Sequence, residues 1–118
     1  MRQDKIHIPA ITPFSSELLV LEKVQMLKVL EEAAEMTEAW KDWRKDKADK
    51  RQFIDEAADL IQALVNLLAA SDVSDEDLLN AMHRCNSRNG LKGRLADVWK
   101  EEKSEFESLN AHDRRSSE

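Results

Sequence analysis

Two pairs of acidic residues have a spacing that brings carboxylates together on a helix. Glu32 and Glu35 lie three residues apart, and so do Glu56 and Asp59. Three-residue spacing places both members of a pair on one helical face, one turn apart. If the two segments are helices that pack antiparallel, the four carboxylates converge, and they cannot all stay ionised without cations. Oxygen ligands of this kind suit Mg²⁺, or Mn²⁺, better than zinc.

The segments that carry these pairs are predicted to be helical. Residues 14–89 contain neither glycine nor proline and are rich in good helix formers. The first helix is expected from about Ser16 to Arg44, with room for a break near Leu21. A second is expected from about Gln52 to Ala70. A third is expected over about 75–88, stopped by Asn89-Gly90, and a fourth, weaker one over about 95–109.

The second helix combines a broad apolar surface with one narrow polar stripe. Its apolar residues cover well over half of the circumference, which predicts that the helix is mostly buried. The stripe consists of Asp55, Asp59, Gln62 and Asn66, with Glu56 at its edge. The stripe is either a solvent face or a set of buried polar groups that need a cation or a donor. On the first helix, Glu32 falls within an apolar stripe rather than opposite it.

Composition excludes several classes of function. The chain has 118 residues, a net charge of −6 and only two glycines, Gly90 and Gly93, so no glycine-rich phosphate loop can be formed. The acidic balance argues against a nucleic-acid binder, and the longest apolar runs are too short for a membrane span. Cys85 is the single cysteine, which fits a reducing, cytoplasmic compartment. No histidine lies three residues after a glutamate, as a ferritin-like di-iron site requires.

The full acidic pattern resembles the signature of the all-α nucleoside triphosphate pyrophosphohydrolases. The motifs are Glu31-Glu32-x-x-Glu35 and Glu56-x-x-Asp59, and the surrounding sequence looks like the MazG-like version over roughly residues 18–94. The superfamily also includes dimeric dUTPases and phosphoribosyl-ATP pyrophosphohydrolases. Its members cleave a nucleoside triphosphate between the α- and β-phosphates, giving a monophosphate and pyrophosphate.

The resemblance implies roles for particular residues. By motif match, Glu32, Glu35, Glu56 and Asp59 hold Mg²⁺, with Mn²⁺ as the other candidate. Either Glu31 or a ligand glutamate such as Glu35 activates the water, and the motif does not choose between them. The helical pattern and the resemblance together predict a helical domain over 15–110 that is like a four-helix bundle and is completed as a homodimer or homotetramer. A 1–14 N-terminal arm and a 111–118 tail flank this domain.

Two further sets of residues are candidates for substrate contacts. The segment from Leu78 to Ala96 has no acidic residue but several basic ones, a local reversal of sign that favours phosphate. Asn86 and Arg88 loosely match a family segment that meets phosphates, and Lys92 follows them. The alternative is an ordinary solvated helix end, where cations favour the C-terminal dipole. Trp40 is positioned either to stack on a nucleobase or to pack in the core.

The chain is therefore expected to be a cytoplasmic, Mg²⁺-dependent pyrophosphohydrolase that acts on a (deoxy)nucleoside triphosphate. Two alternatives stay open. One is phosphoribosyl-ATP hydrolysis, which the same motif permits. The other is a non-catalytic helical module whose acidic stripes face solvent and whose apolar faces bind a partner protein.

Overall fold

The computed structural model describes residues 5–46 and 49–96 and is helical over these ranges, with no strand. A 3₁₀ turn over Ser16–Leu19 precedes three α-helices: α1 is Glu22–Asp46, α2 is Lys50–Ala70 and α3 is Asp75–Leu91. The all-α prediction is confirmed, and so is the break near Leu21, which separates the 3₁₀ turn from α1. The fourth helix predicted over about 95–109 lies almost wholly outside the described residues.

The predicted end of the third helix is wrong. Asn89 and Gly90 lie inside α3, which continues to Leu91. The chain leaves the helix at Gly93, which has a φ of 68°. The backbone N–H groups of Gly93 and Arg94 donate to the carbonyls of Gly90 and Asn89, at 3.0 Å each. This double closure is a Schellman motif, and it is the later glycine that supplies the left-handed residue the motif needs.

α1 and α2 form an antiparallel pair. At one end, the rings of Trp43 and Phe53 stack with their centroids 5.5 Å apart. At the other end, the Ser71 hydroxyl donates to a Glu22 carboxylate oxygen at 2.8 Å. The last turn of α1 therefore meets the first turn of α2, and the start of α1 meets the end of α2. The Asp49 side chain caps α2 by accepting from the backbone N–H of Arg51 at 2.9 Å.

The chain divides into two compact units. One comprises Pro9–Asp75 and holds the 3₁₀ turn, α1 and α2. The other comprises residues 1–8 and 76–118, of which the structure describes 5–8 and 76–96, including most of α3. The domain boundaries predicted at 14–15 and 110–111 stay predictions. All four predicted carboxylate ligands belong to the first unit.

The N-terminal arm is hydrogen-bonded to α2 through Gln62 and Asn66, the last two residues of the polar stripe. The backbone N–H of Phe14 donates to Oδ1 of Asn66 at 2.9 Å, and Nε2 of Gln62 donates to the carbonyl of Thr12 at 3.1 Å. Gln62 also donates to Asn66 Oδ1 at 3.0 Å. Asn66 is only 4% exposed. The solvent-face interpretation of the stripe is therefore wrong for Asn66, which binds the arm.

Little apolar surface is buried within the described chain. Its buried apolar residues are Leu19, Ala39 and Ala63, none of them large and aromatic. On α1, by contrast, Leu27 and Leu30 are 54% and 58% exposed. Successive helical residues are about 100° apart, so these two leucines lie on the side of α1 opposite Glu32. No helix in the described ranges combines the length and the apolar character that crossing a membrane requires.

Candidate metal centre and adjoining pocket

Three carboxylates from two helices meet between α1 and α2. Glu32 and Glu35 come from the middle of α1, and Glu56 comes from α2. One carboxylate oxygen of each lies within 4.8 Å of the others. Helical spacing brings the two α1 carboxylates onto one face, and antiparallel packing brings Glu56 opposite them. The predicted convergence is confirmed for this acidic triad.

Asp59 lies beside the acidic triad without belonging to it. Its carboxylate is one turn beyond Glu56 on α2 and is exposed to solvent. It lines a pocket together with Glu32. Its negative charge contributes to the raised pKa of both Glu32 and Glu56. The fourth predicted ligand is thus electrostatically close to the triad, and its role as a ligand stays a prediction.

The pKa values of Glu32 and Glu56 are both raised by burial and by neighbouring negative charges. Burial raises the pKa of the Glu32 carboxyl above its ordinary 4.5, and the neighbouring Glu35 charge raises it further. Burial also raises the pKa of Glu56, followed by the charges of Glu35 and Asp59. In both cases the surroundings disfavour the ionised form because they are desolvated and negative. A cation at this point would reverse the effect.

Two carboxylate oxygens at the site lack any partner within the described residues. Oε2 of Glu32 and Oε2 of Glu56 are buried and accept no hydrogen bond. A buried acceptor without a donor costs free energy, so such atoms are rare unless a ligand or an ion satisfies them. Both orphan oxygens belong to the acidic triad, and all its donors are hard oxygens. The residues present therefore fit a Mg²⁺ or Mn²⁺ ion.

Glu31, the other candidate for water activation, is placed differently from Glu35. Its carboxylate pairs with the Lys28 ammonium at 3.2 Å, and both side chains are about half exposed (52% each). It is not among the three carboxylates that converge. Glu35 is exposed and lies within the acidic triad. The geometry therefore places Glu35, and not Glu31, in the acidic triad, and both catalytic assignments stay predictions.

The two tryptophans of α1 have different surroundings. Trp43 is half-buried and packs on Phe53, and the Arg44 guanidinium lies 4.4 Å from its ring centroid. Trp40 is 46% exposed. Trp43 is thus used in packing between α1 and α2. Trp40 has a ring face available to solvent, and its proposed contact with a base stays a prediction.

The predicted phosphate-binding residues belong to the second compact unit. Asn86 and Arg88 lie on α3, and Lys92 lies in the turn that follows it. All three side chains are exposed. Arg88 is in the last turn of α3, where a cation is also favoured by the helix dipole. Both interpretations of this basic segment therefore stay open, and its phosphate contacts stay a prediction.

A pocket of about 490 Å³ opens next to the carboxylates. Its acidic edge is formed by Glu32 and Asp59, and Lys28 is its one basic group among the described residues. The rest of its lining is neutral and consists of Phe14, Leu18, Val24, Gln25, Gln62, Ala63 and Asn66. The Gln25 amide donates to the Leu18 carbonyl at 3.2 Å and so ties the 3₁₀ turn to α1.

None of the neutral residues that line this pocket is among the catalytic, metal-binding or substrate-binding residues predicted from the sequence. Gln62 and Asn66 did stand out as polar groups on an apolar helix, but that signal left open whether they face solvent or a partner. Phe14 and Thr12 gave no signal, because an irregular segment has no periodicity. Their position depends on hydrogen bonds to residues that lie 50 and 52 positions away in the sequence.

Comparison with known proteins identifies one family. Its model, described as phosphoribosyl-ATP pyrophosphohydrolase, matches residues 1–86, which is most of the chain. The match includes the N-terminal arm, which the motif resemblance left out, and it ends before Arg88 and Lys92. This family is part of the MazG-like pyrophosphohydrolase superfamily, so the resemblance is confirmed. The match favours an enzyme over an interaction module. No curated protein and no solved structure matches the chain significantly.

Proposed function

Because the chain belongs to the phosphoribosyl-ATP pyrophosphohydrolase family, we propose that it is a Mg²⁺-dependent enzyme that cleaves a nucleotide between its α- and β-phosphates. One observation supports this most directly. Glu32, Glu35 and Glu56 converge within 4.8 Å, and two of their oxygens are buried without a donor. An acidic site of this kind repels a polyphosphate unless divalent cations lie between them.

The roles of the protein's own groups follow from their positions. Glu32 and Glu56 are half-buried and fixed between the helices, so they would hold the metal in place. Asp59 lies at the mouth of the site and would complete the ligand set. Bound Mg²⁺ would screen the phosphate charge and polarise the phosphoryl oxygens. Glu35 is exposed within the acidic triad, and we propose that it orients the attacking water and accepts its proton.

Two nucleotides are candidates for the substrate. We propose a (deoxy)nucleoside triphosphate, with nucleotide-pool housekeeping as the role. Phosphoribosyl-ATP is the second candidate, and the description of the matching family favours it. Phosphoribosyl-ATP carries an additional phosphate, which needs additional positive charge. Lys28 is the one cation that lines the pocket among the described residues, and it is already paired with Glu31. This favours the simpler nucleotide.

The proposed reaction predicts pyrophosphate as a product. We expect the full chain with Mg²⁺ to release pyrophosphate from at least one nucleotide in a panel of the common NTPs, the common dNTPs and phosphoribosyl-ATP. Phosphorus NMR distinguishes pyrophosphate and a monophosphate from orthophosphate and a diphosphate, which cleavage at the other bridge gives. Chelation by EDTA should stop the release. Absence of turnover across the whole panel would reject the proposed function.

We also propose that the chain self-associates as a homodimer or a homotetramer. The described chain buries only three apolar residues, and contiguous apolar side chains on the outer side of α1 face solvent. Large exposed apolar surfaces on a soluble domain are typical of protein interfaces.

We propose the cytoplasm as the compartment, because a lone free thiol suits a reducing environment.

Self-association predicts that charge on the outer side of α1 separates the subunits. We expect Leu27→Glu combined with Leu30→Glu to shift the protein to the mass of one chain, because two buried carboxylates would face the partner subunit. Light scattering coupled to size-exclusion chromatography measures the mass. Thr37→Glu adds a charge on the same side of α1, about two to three turns further along, and should leave the mass nearer to wild type. A wild-type mass of one chain would contradict the proposal.

A further inference from the structure

The pocket beside the carboxylates has one charged edge and an otherwise neutral lining. Its acidic edge is Glu32 and Asp59, and its one lysine, Lys28, is engaged by Glu31 at 3.2 Å. The remaining walls present aliphatic groups, one aromatic ring and the amides of three residues, which are Gln25, Gln62 and Asn66. Among the residues that the structure describes, this neutral part offers a phosphate chain no unpaired cation. A flat, uncharged group with hydrogen-bonding edges suits it better.

The size and position of the pocket match the uncharged half of a nucleotide. Its volume of about 490 Å³ falls within the range of small-molecule sites, roughly 300–1,000 Å³. Glu32 belongs both to the acidic triad and to the pocket wall. A ligand with its phosphates at the triad would therefore extend its sugar and base along the wall formed by Gln62 and Asn66.

The N-terminal arm supplies the aromatic part of this wall. Phe14 lines the pocket and is 52% exposed, so packing within the chain leaves part of its ring accessible to a ligand. Its backbone is fixed because its N–H donates to Oδ1 of the buried Asn66. The carbonyl of Thr12, two residues earlier, is held by Gln62. An aromatic ring held in place with a free face is suited to stacking on a base.

We propose that this pocket binds the nucleoside half of the substrate, with Phe14 stacking on the base and with Asn66 and Gln62 as positioning residues that hold the arm. The inference rests on the proposed function, since it assigns the substrate of the same site. It makes residues 12–18 part of the binding site. This base contact comes from the arm, whereas the carboxylates come from α1 and α2.

The first test separates binding from catalysis by steady-state kinetics of pyrophosphate release. We expect Phe14→Ala to raise KM about tenfold, because the base loses the ring on which it stacks, while kcat stays close to wild type. Phe14→Tyr keeps the ring and should restore KM. Val20→Ala alters an exposed apolar residue that does not line the pocket and serves as the matched control. An unchanged KM in Phe14→Ala would overturn the proposal.

The hydrogen bond between Asn66 and the Phe14 backbone provides a second, independent test with the same kinetic assay. Asn66→Ala removes the acceptor of the Phe14 N–H, so the ring loses its fixed position while its chemistry is intact. We expect KM to rise as it does in Phe14→Ala, and we expect the double variant to be no worse than the single ones. Additive effects of the two changes would show that they act separately and would overturn the positioning role of Asn66.

Direct binding separates this inference from the proposed function. Calorimetry of the full chain with dAMP, dGMP, dCMP and dTMP needs no turnover. We expect at least one of these monophosphates to bind, and to bind Phe14→Ala about tenfold more weakly. If this difference is found in a protein that releases no pyrophosphate, the pocket stands and the proposed function fails. If pyrophosphate is released but no monophosphate binding depends on Phe14, the proposed function stands and the pocket is rejected.

Discussion

Glu35→Gln is expected to lower the rate of pyrophosphate release by about a thousandfold. The substitution keeps the size of the side chain but removes the negative charge from the exposed member of the acidic triad. Metal ions supply several kcal/mol of transition-state stabilisation, and each 1.36 kcal/mol corresponds to a factor of about ten in rate. Steady-state pyrophosphate release at saturating Mg²⁺ measures the loss.

The control for this variant lies on the same helix. Glu38 is one turn beyond Glu35, exposed, and paired with Lys41 at 3.3 Å on the surface of α1. Glu38→Gln removes the same charge without touching the acidic triad, and its activity should be within about twofold of wild type, because exposed ion pairs contribute little. Equal activity of Glu35→Gln and Glu38→Gln would show that the acidic triad is not the catalytic centre.

The same assay decides between the two candidate bases. Glu31 is paired with Lys28 outside the acidic triad, whereas Glu35 is within it. If Glu35 activates water, Glu31→Gln retains most of the activity. If Glu31 activates water instead, Glu31→Gln loses as much activity as Glu35→Gln does. The Mg²⁺ dependence of Glu31→Gln then stays like that of wild type.

Glu56→Gln is expected to make the metal-free protein more stable and to abolish its stabilisation by Mg²⁺. In the folded chain, burial and the charges of Glu35 and Asp59 raise the pKa of the Glu56 carboxyl. Glutamine occupies the same place without the desolvated charge. A ligand at a hundred times its Kd stabilises the folded state by about 2.7 kcal/mol, and this increment should be lost with the ligand residue. Thermal unfolding in EDTA and in Mg²⁺ measures both effects.

The pH dependence of the metal-free wild type follows from the same pKa shifts, and its sign can be derived. The pKa values of Glu32 and Glu56 are raised above 4.5 in the folded state, so between 4.5 and the raised value the folded chain binds more protons than the unfolded chain. Their contribution to stability is therefore complete below pH 4.5 and is lost as the pH rises through the raised pKa. The advantage of Glu56→Gln should be absent below pH 4.5, grow as the pH rises through that window and be complete above it.

Glu38→Gln again provides the control, because its charge is exposed and outside the acidic triad. It should neither stabilise the metal-free chain nor change its response to Mg²⁺. A metal-free Glu56→Gln that is less stable than wild type at neutral pH would contradict the view of the acidic triad as a destabilising, cation-deficient cluster.

Local sequence rules were sufficient for the helices and for the convergence of the carboxylates. Helix formers without glycine or proline predicted α1 and α2, and three-residue spacing predicted which acidic residues share a face. The same rules failed at the end of α3. Asn89-Gly90 is a strong stop signal on its own, but a second glycine three residues later allows a complete Schellman closure, so the helix continues to Leu91.

The adjoining pocket could not be predicted, because it depends on contacts between distant parts of the chain. The polar stripe of α2 was visible, but sequence alone left open whether Asn66 faced solvent or a partner. The structure shows that the partner it has in the arm is a backbone N–H rather than a side chain. A backbone group looks the same at every position in the sequence, so no residue type in the arm indicated that Phe14 would lie at the pocket.

The arm and the helical pair close chain loops of very different lengths. Only residues 47–49 connect α1 to α2, whereas the bonds of Thr12 and Phe14 join positions 50 and 52 apart. The entropy lost on closing a loop grows only with the logarithm of its length, so this difference counts for little once α1 and α2 are packed together. Because α1 and α2 pack along their lengths, whereas hydrogen bonds of Thr12 and Phe14 hold the arm, we expect the arm to detach at a lower free energy than the helical pair. The two halves of the proposed site would then have separate stabilities. On warming, the contact of the arm with the base would be lost before the carboxylates of the acidic triad move apart.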